Sequence, residues 1–268
     1  MSVYAEILQH RELFANLFRR DFKSKYKGSF LGVLWTLVNP LVLVGIYTLV
    51  FSVLFPISGI EHYPLYLLSG LVIWLFVSAT LATSPRSLLD NANLIKKVRF
   101  PRQLAAFSTV ATQLVTLAAI LVVLVPVNLI VVPDTRETIW LAFPLIVPVI
   151  ALAAGLALAL AAANVLFRDI EHMVAALLLP WFFLTPIMYS FTEGGPLRGP
   201  IEDHHTLVQF LYYGNPITPP IEAVRDVLFF GRLPRLVDVV YLLVAAVIAL
   251  ALGAWVFRRV DDRIAVEL

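Results

Sequence analysis

A long apolar run without a charged side chain strongly constrains how this chain can fold. It extends from Leu104 to Val132 and contains no Asp, Glu, Lys, Arg or His. As a helix rising about 1.5 Å per residue, this run is longer than the roughly 30 Å hydrocarbon core of a bilayer. Overall, 60% of the residues are hydrophobic and 14% are charged, whereas an average soluble domain has about 25% charged residues. We therefore expect lipid to surround most of the chain.

Six apolar segments predict an all-α membrane protein with six transmembrane helices. Lipid cannot hydrogen-bond an open backbone, and the segments are too continuous for the alternating strands of a barrel. The predicted spans are Gly32–Phe55, Leu65–Thr83, Leu104–Val132, Ile139–Leu166, Met173–Tyr189 and Leu236–Phe257. Apart from Asp238 at one end of the last span, they lack Asp, Glu, Lys, Arg and His. This absence argues against coupling to an ion gradient.

The distribution of Lys and Arg predicts the orientation of the spans. With the N-terminus inside, 15 of the 20 Lys and Arg residues, including every lysine, fall in inner segments. The cations assigned to the outer side are Arg136, Arg198, Arg225, Arg232 and Arg235. We therefore expect a multi-pass protein of the cytoplasmic (inner) membrane with both termini in the cytoplasm.

Residues 1–30 predict an amphipathic helix that lies in the cytoplasmic interface before the first span. Phe14, Phe18 and Phe22 recur at helical spacing, and most charged side chains of the segment lie off this stripe. The predicted domains are 1–30, the interface helix; 31–260, the six-span transmembrane domain; and 261–268, a cytoplasmic tail.

Two apolar pieces between the fifth and sixth spans are too short to cross a membrane. They are about Thr206–Tyr213 and Pro219–Phe230. We expect Thr218 to cap the second piece as a helix, and Gly231 and Pro234 to end it. Both pieces are predicted to rest on the outer face or to enter it as short re-entrant helices.

The sequence lacks the motifs of several enzyme classes. It has no cysteine, which excludes thiol catalysis and thiolate metal sites. It also has no GxxxxGK[ST], HExxH or GxSxG motif. The His204–His205 pair is either a metal-binding pair or part of a solvated loop, and we favour the loop and expect no metal. The cluster from Arg168 to His172 is either catalytic or a charged turn facing the cytosol or a partner, and we favour the turn.

The inner segment from Ser84 to Gln103 combines basic residues with exposed apolar ones. A short helix here would dock on a membrane surface or on a partner protein. The alternative is a plain loop whose cations fix the topology. The residues alone do not favour either interpretation.

Aromatic residues are concentrated in the first and fifth predicted spans. An aromatic residue near a span end is normally an interfacial anchor, and a deeper one is normally part of the packed core. The third alternative is a pore lining, because aromatic faces stack on sugar rings. The residues concerned are Trp35, Tyr47, Phe51, Trp181, Phe182, Phe183 and Tyr189.

Four stretches resemble the permease subunit of type-2 ABC exporters, in the branch that exports polysaccharide and teichoic acid. They are YKGSFLGVLWTLVNPL, NANLIKKVRFPR, the RDI turn after the fourth span, and YYGNPITPPIEAVRDVLF. The resemblance covers nearly the whole chain. It implies a homodimer that forms the pore above two copies of a separate ATP-binding cassette subunit. ATP and Mg would then belong to that partner, with no cofactor on this chain.

The resemblance also implies roles for individual residues. The cytoplasmic mouth, facing the diphosphate of a polyprenyl-linked glycan, would include Arg20, Lys23, Lys25, Lys27, Leu31 and Gly32. Coupling to the ATPase would involve Asn91, Leu94, Lys96, Lys97, Arg99, Phe100, Arg102, Arg168 and Asp169. The aromatic residues named above would line the substrate path, and residues 206–230 would form an outer gate.

The leading hypothesis is therefore a transport subunit that does no covalent chemistry itself. It would export a lipid-linked polysaccharide of the O-antigen, teichoic-acid or cell-wall galactan type. One alternative is a type-2 ABC permease for drugs or lipids. Another is a membrane-embedded polyprenyl-phosphate transferase, which would need acidic or histidine groups to converge at the inner face. The candidates for that role are Asp90, Asp169, Glu171 and His172.

Overall fold

The computed structural model describes residues 10–29, 32–54, 60–97, 101–189 and 205–267. Within these ranges all regular secondary structure is helical. The α-helices are α1 Arg11–Tyr26, α2 Trp35–Thr48, α3 Tyr63–Thr83, α4 Ala92–Lys97, α5 Gln103–Val131, α6 Ala142–Leu166, α7 Ile170–Leu184, α8 His205–Tyr213, α9 Thr218–Leu228 and α10 Leu236–Glu267. A π-helical segment, Leu49–Leu54, continues α2.

Within the described ranges, four helical stretches are long and apolar enough to cross a membrane. They are Tyr63–Thr83, Gln103–Val131, Ile139–Leu166 and Leu236–Asp261. The prediction of a helical membrane protein is confirmed, and these four match the predicted spans two, three, four and six.

The first and fifth predicted spans are shorter apolar helices, Trp35–Phe51 and Ile170–Leu184. With 15 residues, α7 is about 22 Å long at 1.5 Å per residue. It ends one residue before Thr185, which precedes Pro186, because a residue before proline disfavours the helical conformation. The count of six spans stays a prediction.

The pair α6 and α10 forms the most extensive helix contact in the described chain. A side chain at Gly155 would overlap the backbone at Ala249, and one at Gly253 would overlap the carbonyl of Gly155. Glycine at both positions lets the two backbones approach closely, as small residues do in membrane helix interfaces. This pair forms one edge of the bundle, and α3 and α5 pack beside α6.

Helix α1 packs along α5 as the predicted amphipathic helix. Leu17 is buried, and Phe14 packs on a small apolar cluster that includes Phe107 of α5. Lys23 and Lys27 are exposed. The apolar stripe of α1 therefore packs against the bundle.

The described helices define two ends of the bundle. The α1 end holds α1, α4, the α6–α7 turn and the last turns of α10. Polar contacts at this end join Arg20 to Asn91, Arg86 to Glu171 and Arg102 to Asp261. The α9 end holds α8, α9 and the start of α3. Every residue of α9 is buried, against α3, α6 and α10.

The start of α9 differs from the prediction. Thr218 is the first helical residue, not the cap, and its buried hydroxyl makes no hydrogen bond. A capping side chain must precede the helix to reach its free N–H groups, and here Ile217 holds that place.

Candidate functional site

Three adjoining clefts follow α3 and together form what we call the groove. Their volumes are about 310 Å³ at the α1 end, about 330 Å³ in the middle and about 460 Å³ beyond it. The first and middle clefts share Lys25 and Gln113. The middle and third clefts share Asn39, Leu75 and Ala79. Because neighbouring clefts share wall residues, the three clefts lie side by side along α3.

The lining of the groove changes from polar to aromatic along α3. Near Thr83 the lining includes charged, hydroxyl and amide side chains from α1, α5 and the α3–α4 connection. Near Leu71 it consists mostly of leucine, alanine and aromatic side chains. These two residues lie about 18 Å apart along the helix at 1.5 Å per residue. The groove therefore suits a ligand with an anionic or polar end and a less polar body.

Lys25 is the predicted mouth residue that lies at the junction of two clefts. Its Nζ donates to Gln113 Oε1 at 2.8 Å and to Thr116 Oγ1 at 3.1 Å. Partial burial lowers the pKa of the Lys25 amine. No ion pair of Lys25 occurs in the described part of the chain, so an anion in the groove would meet a cation held only by neutral acceptors.

Arg20 is placed differently from Lys25. Its guanidinium donates to Asp21, with a shortest distance of 2.7 Å, and to the amide oxygen of Asn91. The second oxygen of Asp21 accepts a 2.6 Å hydrogen bond from Ser108. Arg20 therefore links α1 to the predicted coupling segment, although it also borders the first cleft.

Lys23, Lys27 and Gly32, three of the remaining predicted mouth residues, do not line the groove. Lys23 and Lys27 are exposed on α1 and border none of the three clefts described above. Gly32 begins a short 3₁₀ turn and its N–H donates to Ser29 Oγ at 3.1 Å. Leu31 lies outside the described residues.

Four rings form an aromatic wall on the third cleft: Tyr47, Trp74, Trp181 and Phe182. Tyr47 stacks on Phe182 with ring centres 5.8 Å apart. Trp74 lies 5.6 Å from Phe182 and 6.1 Å from Trp181. Tyr47, Trp74 and Phe182 border the cleft directly. Sequence reasoning missed Trp74, since an aromatic in the middle of a span looks like ordinary core.

The other predicted aromatic residues surround this wall. Phe51 lies 6.3 Å from Tyr47, and Phe183 lies 5.4 Å from Phe182, between ring centres. The hydroxyl of Tyr189 donates to the Phe183 carbonyl at 3.1 Å. Trp35 instead borders the middle cleft. Of the seven predicted path residues, Tyr47 and Phe182 thus border the third cleft and Trp35 the middle one, whereas the other four line none of the three clefts.

The predicted coupling segment is described in part. Asn91 is buried and donates to the Ser87 carbonyl at 2.7 Å, while Leu94 is half-buried. Arg102 pairs with Asp261 of α10 at 2.7 Å. The side chains of Lys96 and Lys97, and the whole of Arg99 and Phe100, lie outside the described residues.

Polar contacts join the α3–α4 connection to the α6–α7 turn. Asn164 donates to the Pro85 carbonyl at 3.0 Å and accepts from the Glu171 N–H at 3.1 Å. Arg86 pairs with Glu171 at 3.3 Å. Arg168 and Asp169, in the turn itself, are exposed.

The α9 end contains a buried charged cluster that sequence reasoning missed. Arg225, assigned to an outer segment as a topology cation, is fully buried and pairs with Glu222. Asp226 is also buried and pairs with Arg232 at 2.7 Å. A usable signal was present, because Glu222, Arg225 and Asp226 share one helix face in a mostly apolar segment.

Among the described residues, no group of three or more His, Asp or Glu side chains is placed to hold a metal. His204 lies outside the described residues, and nothing is described of the His205 side chain. The expectation that this chain binds no metal stays a prediction.

Comparison with known proteins identifies the family of this chain. The family model described as ABC-2 type transporter matches residues 12–229. The chain belongs to the ABC-2 type transporter family. The O-antigen export system permease protein RfbA of Myxococcus xanthus is 31% identical over 257 residues, which is 94% of each chain. A protein of the same description from Klebsiella pneumoniae is 28% identical over 257 residues, covering 95% of this chain and 94% of that one.

As an ABC-2 permease, the chain is a multi-pass membrane transport subunit that works with an ATP-binding cassette partner. The residues considered for a transferase are either paired with Arg86 or exposed. Asp90 and Glu171 both contact Arg86, at 3.7 and 3.3 Å. Asp169 and His172 are exposed.

Proposed function

We propose that this chain is the transmembrane subunit of an exporter that moves a polyprenyl-diphosphate-linked polysaccharide across the cytoplasmic membrane. The observation that carries the proposal is the groove, which passes from a polar end, where Arg20 and Lys25 lie beside Asp21 and Asp90, to an aromatic wall. A lipid-linked glycan combines a diphosphate with sugar rings, and these two lining types match those two parts. The named relatives support an O-antigen type of polymer. Teichoic acid and cell-wall galactan have the same combination of parts.

The proposal includes the assembly and its orientation. The α1 end faces the cytoplasm, where Lys and Arg concentrate, and both termini lie there. Helices α2 and α7 complete six spans, and α8 and α9 form the outer gate. Two copies of this chain enclose the path above two copies of the ATPase, which holds ATP and Mg. This chain needs no cofactor and catalyses no covalent step.

Within the groove, Lys25 contacts the diphosphate. A charge-assisted hydrogen bond contributes more than a neutral one, and Lys25 is reachable from two clefts. Arg20 instead holds α1 to the coupling segment through Asn91. Of the predicted mouth cations, Lys25 is therefore the candidate for binding the substrate, and Arg20 is the candidate for linking α1 to the coupling segment.

Replacement of Lys25 tests this function. Lys25→Gln keeps a polar side chain but removes the charge, so we expect transport to fall about tenfold at low substrate, from the loss of one charged hydrogen bond. Export into inverted membrane vesicles, measured against the concentration of lipid-linked glycan, should show the loss mainly as a raised KM. The matched control is Lys23→Gln, since Lys23 is exposed on the same helix and outside the groove.

Equal export by the Lys25 and Lys23 variants would reject the diphosphate contact. If cells lacking the chain export the polymer normally and accumulate no lipid-linked precursor inside, the polysaccharide function itself is rejected.

A further inference from the structure

The turn that follows α7 is held almost entirely by side chains from other helices. The carbonyls of Pro186 and Ile187 accept hydrogen bonds from Arg225, each at 3.0 Å. The next two carbonyls, of Met188 and Tyr189, accept from the hydroxyls of Tyr63 and Tyr66, each at 2.9 Å. Four consecutive carbonyls outside a helix therefore find their partners on α3 and α9.

Arg225 is enclosed on every side that the structure describes. Its guanidinium pairs with Glu222, donates to the Tyr66 hydroxyl at 3.0 Å and lies 4.2 Å from the Tyr66 ring centre. A side chain at Gly70 of α3 would overlap the guanidinium. A buried charge with several hydrogen bonds is costly to displace, because each group that loses its partner stays desolvated.

Asn215, in the α8–α9 connection, joins the same turn to the aromatic wall. Its Oδ1 accepts from the indole N–H of Trp181 at 2.9 Å. Its Nδ2 donates to Thr185 Oγ1 at 2.8 Å, and Thr185 Oγ1 in turn donates to the Trp181 carbonyl. The orientation of the Trp181 ring is thereby tied to the chain that leads into α9.

We propose that Asn215 and Arg225 are positioning residues for transport. Together they make α9 and the end of α7 one rigid unit, which we call the α9 clamp, so that the aromatic wall keeps its shape while the path opens. Neither residue borders the groove, so both act through Trp181 and Phe182. The inference rests on the proposed function, because it takes the aromatic wall to be part of the substrate path.

A double-mutant cycle between the clamp and the wall tests the proposal. In the complete complex in vesicles, we expect Asn215→Ala and Phe182→Ala each to slow polymer export about tenfold. We expect the double variant to be about tenfold slower too, because both changes disable the same surface. Independent effects would instead multiply to about a hundredfold. ATP hydrolysis by each complex is measured in parallel and should be retained.

The matched control is Tyr212→Phe. It removes another buried hydrogen bond at the α9 end, the 2.9 Å bond to Asp238, and none of the bonds to the turn. Export by this variant should stay within about twofold of normal, and its effect should multiply with that of Phe182→Ala. A general loss of stability at this end would affect Tyr212→Phe and Asn215→Ala alike, and that result would overturn the positioning role.

Arg225→Gln is the second variant of the clamp. Combining it with Phe182→Ala should slow export no more than either change alone. If the Arg225 variant does not assemble, the double-mutant cycle with Asn215→Ala provides the test. Normal export by Phe182→Ala would reject the aromatic path, and with it the proposed function at this point. If Phe182→Ala slows export but Asn215→Ala exports normally, only the clamp is rejected. The same holds if the effects of the two changes on export multiply in the double variant.

Discussion

The two ends of the bundle hold their charges in opposite ways. At the α9 end, Arg225 and Glu222 have side chains 0% and 8% exposed. At the α1 end, the pair Arg86–Glu171 has side chains 60% and 26% exposed. Removing one partner of a buried pair is strongly destabilising, whereas an exposed pair contributes little. Breaking the contacts of the buried pair at the α9 end therefore costs much free energy, whereas breaking the exposed pairs at the α1 end costs little.

This difference suits the two tasks of a transporter driven by a separate ATPase. The α1 end carries the predicted coupling residues, and a surface that receives motion must break and remake contacts. The α9 end carries the clamp, which preserves the geometry of the aromatic wall. We infer that movement enters where contacts are exposed and reaches the outer gate through the α9 clamp, which moves as one unit without breaking its buried cluster.

The largest expected effect comes from filling the space beside Arg225. Gly70→Leu forces the guanidinium out of its site, and we expect a loss of about 3 kcal/mol or more, enough to prevent assembly. Thermal unfolding and yield of the purified complex measure this loss. Gly45→Leu is the matched control, because a side chain at Gly45 meets nothing within 4 Å. Similar losses in both variants would refute the special packing at Gly70.

Glu222→Ala should have the next largest effect. It leaves Arg225 buried without its carboxylate, which is expected to cost about 3 kcal/mol. Glu222→Gln retains an acceptor for the guanidinium, and a smaller loss is expected. Denaturation in detergent compares the two. An alanine variant as stable as the glutamine one would mean that the ion pair contributes little to holding α9.

The smallest effect on stability is expected at the α1 end. Arg86→Gln removes exposed ion pairs to Asp90 and Glu171, so the change should be about 0.5 kcal/mol or less. If this end transmits motion, the number of ATP molecules hydrolysed per polymer exported should nevertheless rise. A large loss of stability in Arg86→Gln would erase the contrast between the two ends.

Hydropathy predicted the long helices closely. The predicted segment Leu65–Thr83 corresponds to α3, Tyr63–Thr83, and Leu104–Val132 corresponds to α5, Gln103–Val131. The last helix continues beyond the predicted Phe257 to Glu267. Hydropathy ends where charged residues begin, but helical hydrogen bonding does not require apolar side chains.

The site was predictable only where the relevant signal is local. Tyr47 and Phe182 stand out as aromatic residues in the first and fifth predicted spans, and the structure brings them together. The charged face on α9 was a local signal, but the partners of Arg225 could not be predicted, because Tyr66, Pro186 and Ile187 come from distant parts of the chain. The same reason explains why Asn215 was missed, since its role depends on Trp181.

The length of α10 has a mechanical consequence. Asp238, near its first turn, accepts a hydrogen bond from Tyr212, and Asp261 pairs with Arg102. These carboxylates lie about 35 Å apart along one continuous helix at 1.5 Å per residue. Each end of the helix thus contacts a different end of the bundle, and close packing against α6, rather than either single bond, opposes sliding along its axis. With α6 lying close against it, α10 forms a static part of the bundle, and relative displacement is left to α2 and to the α9 clamp, which includes the end of α7.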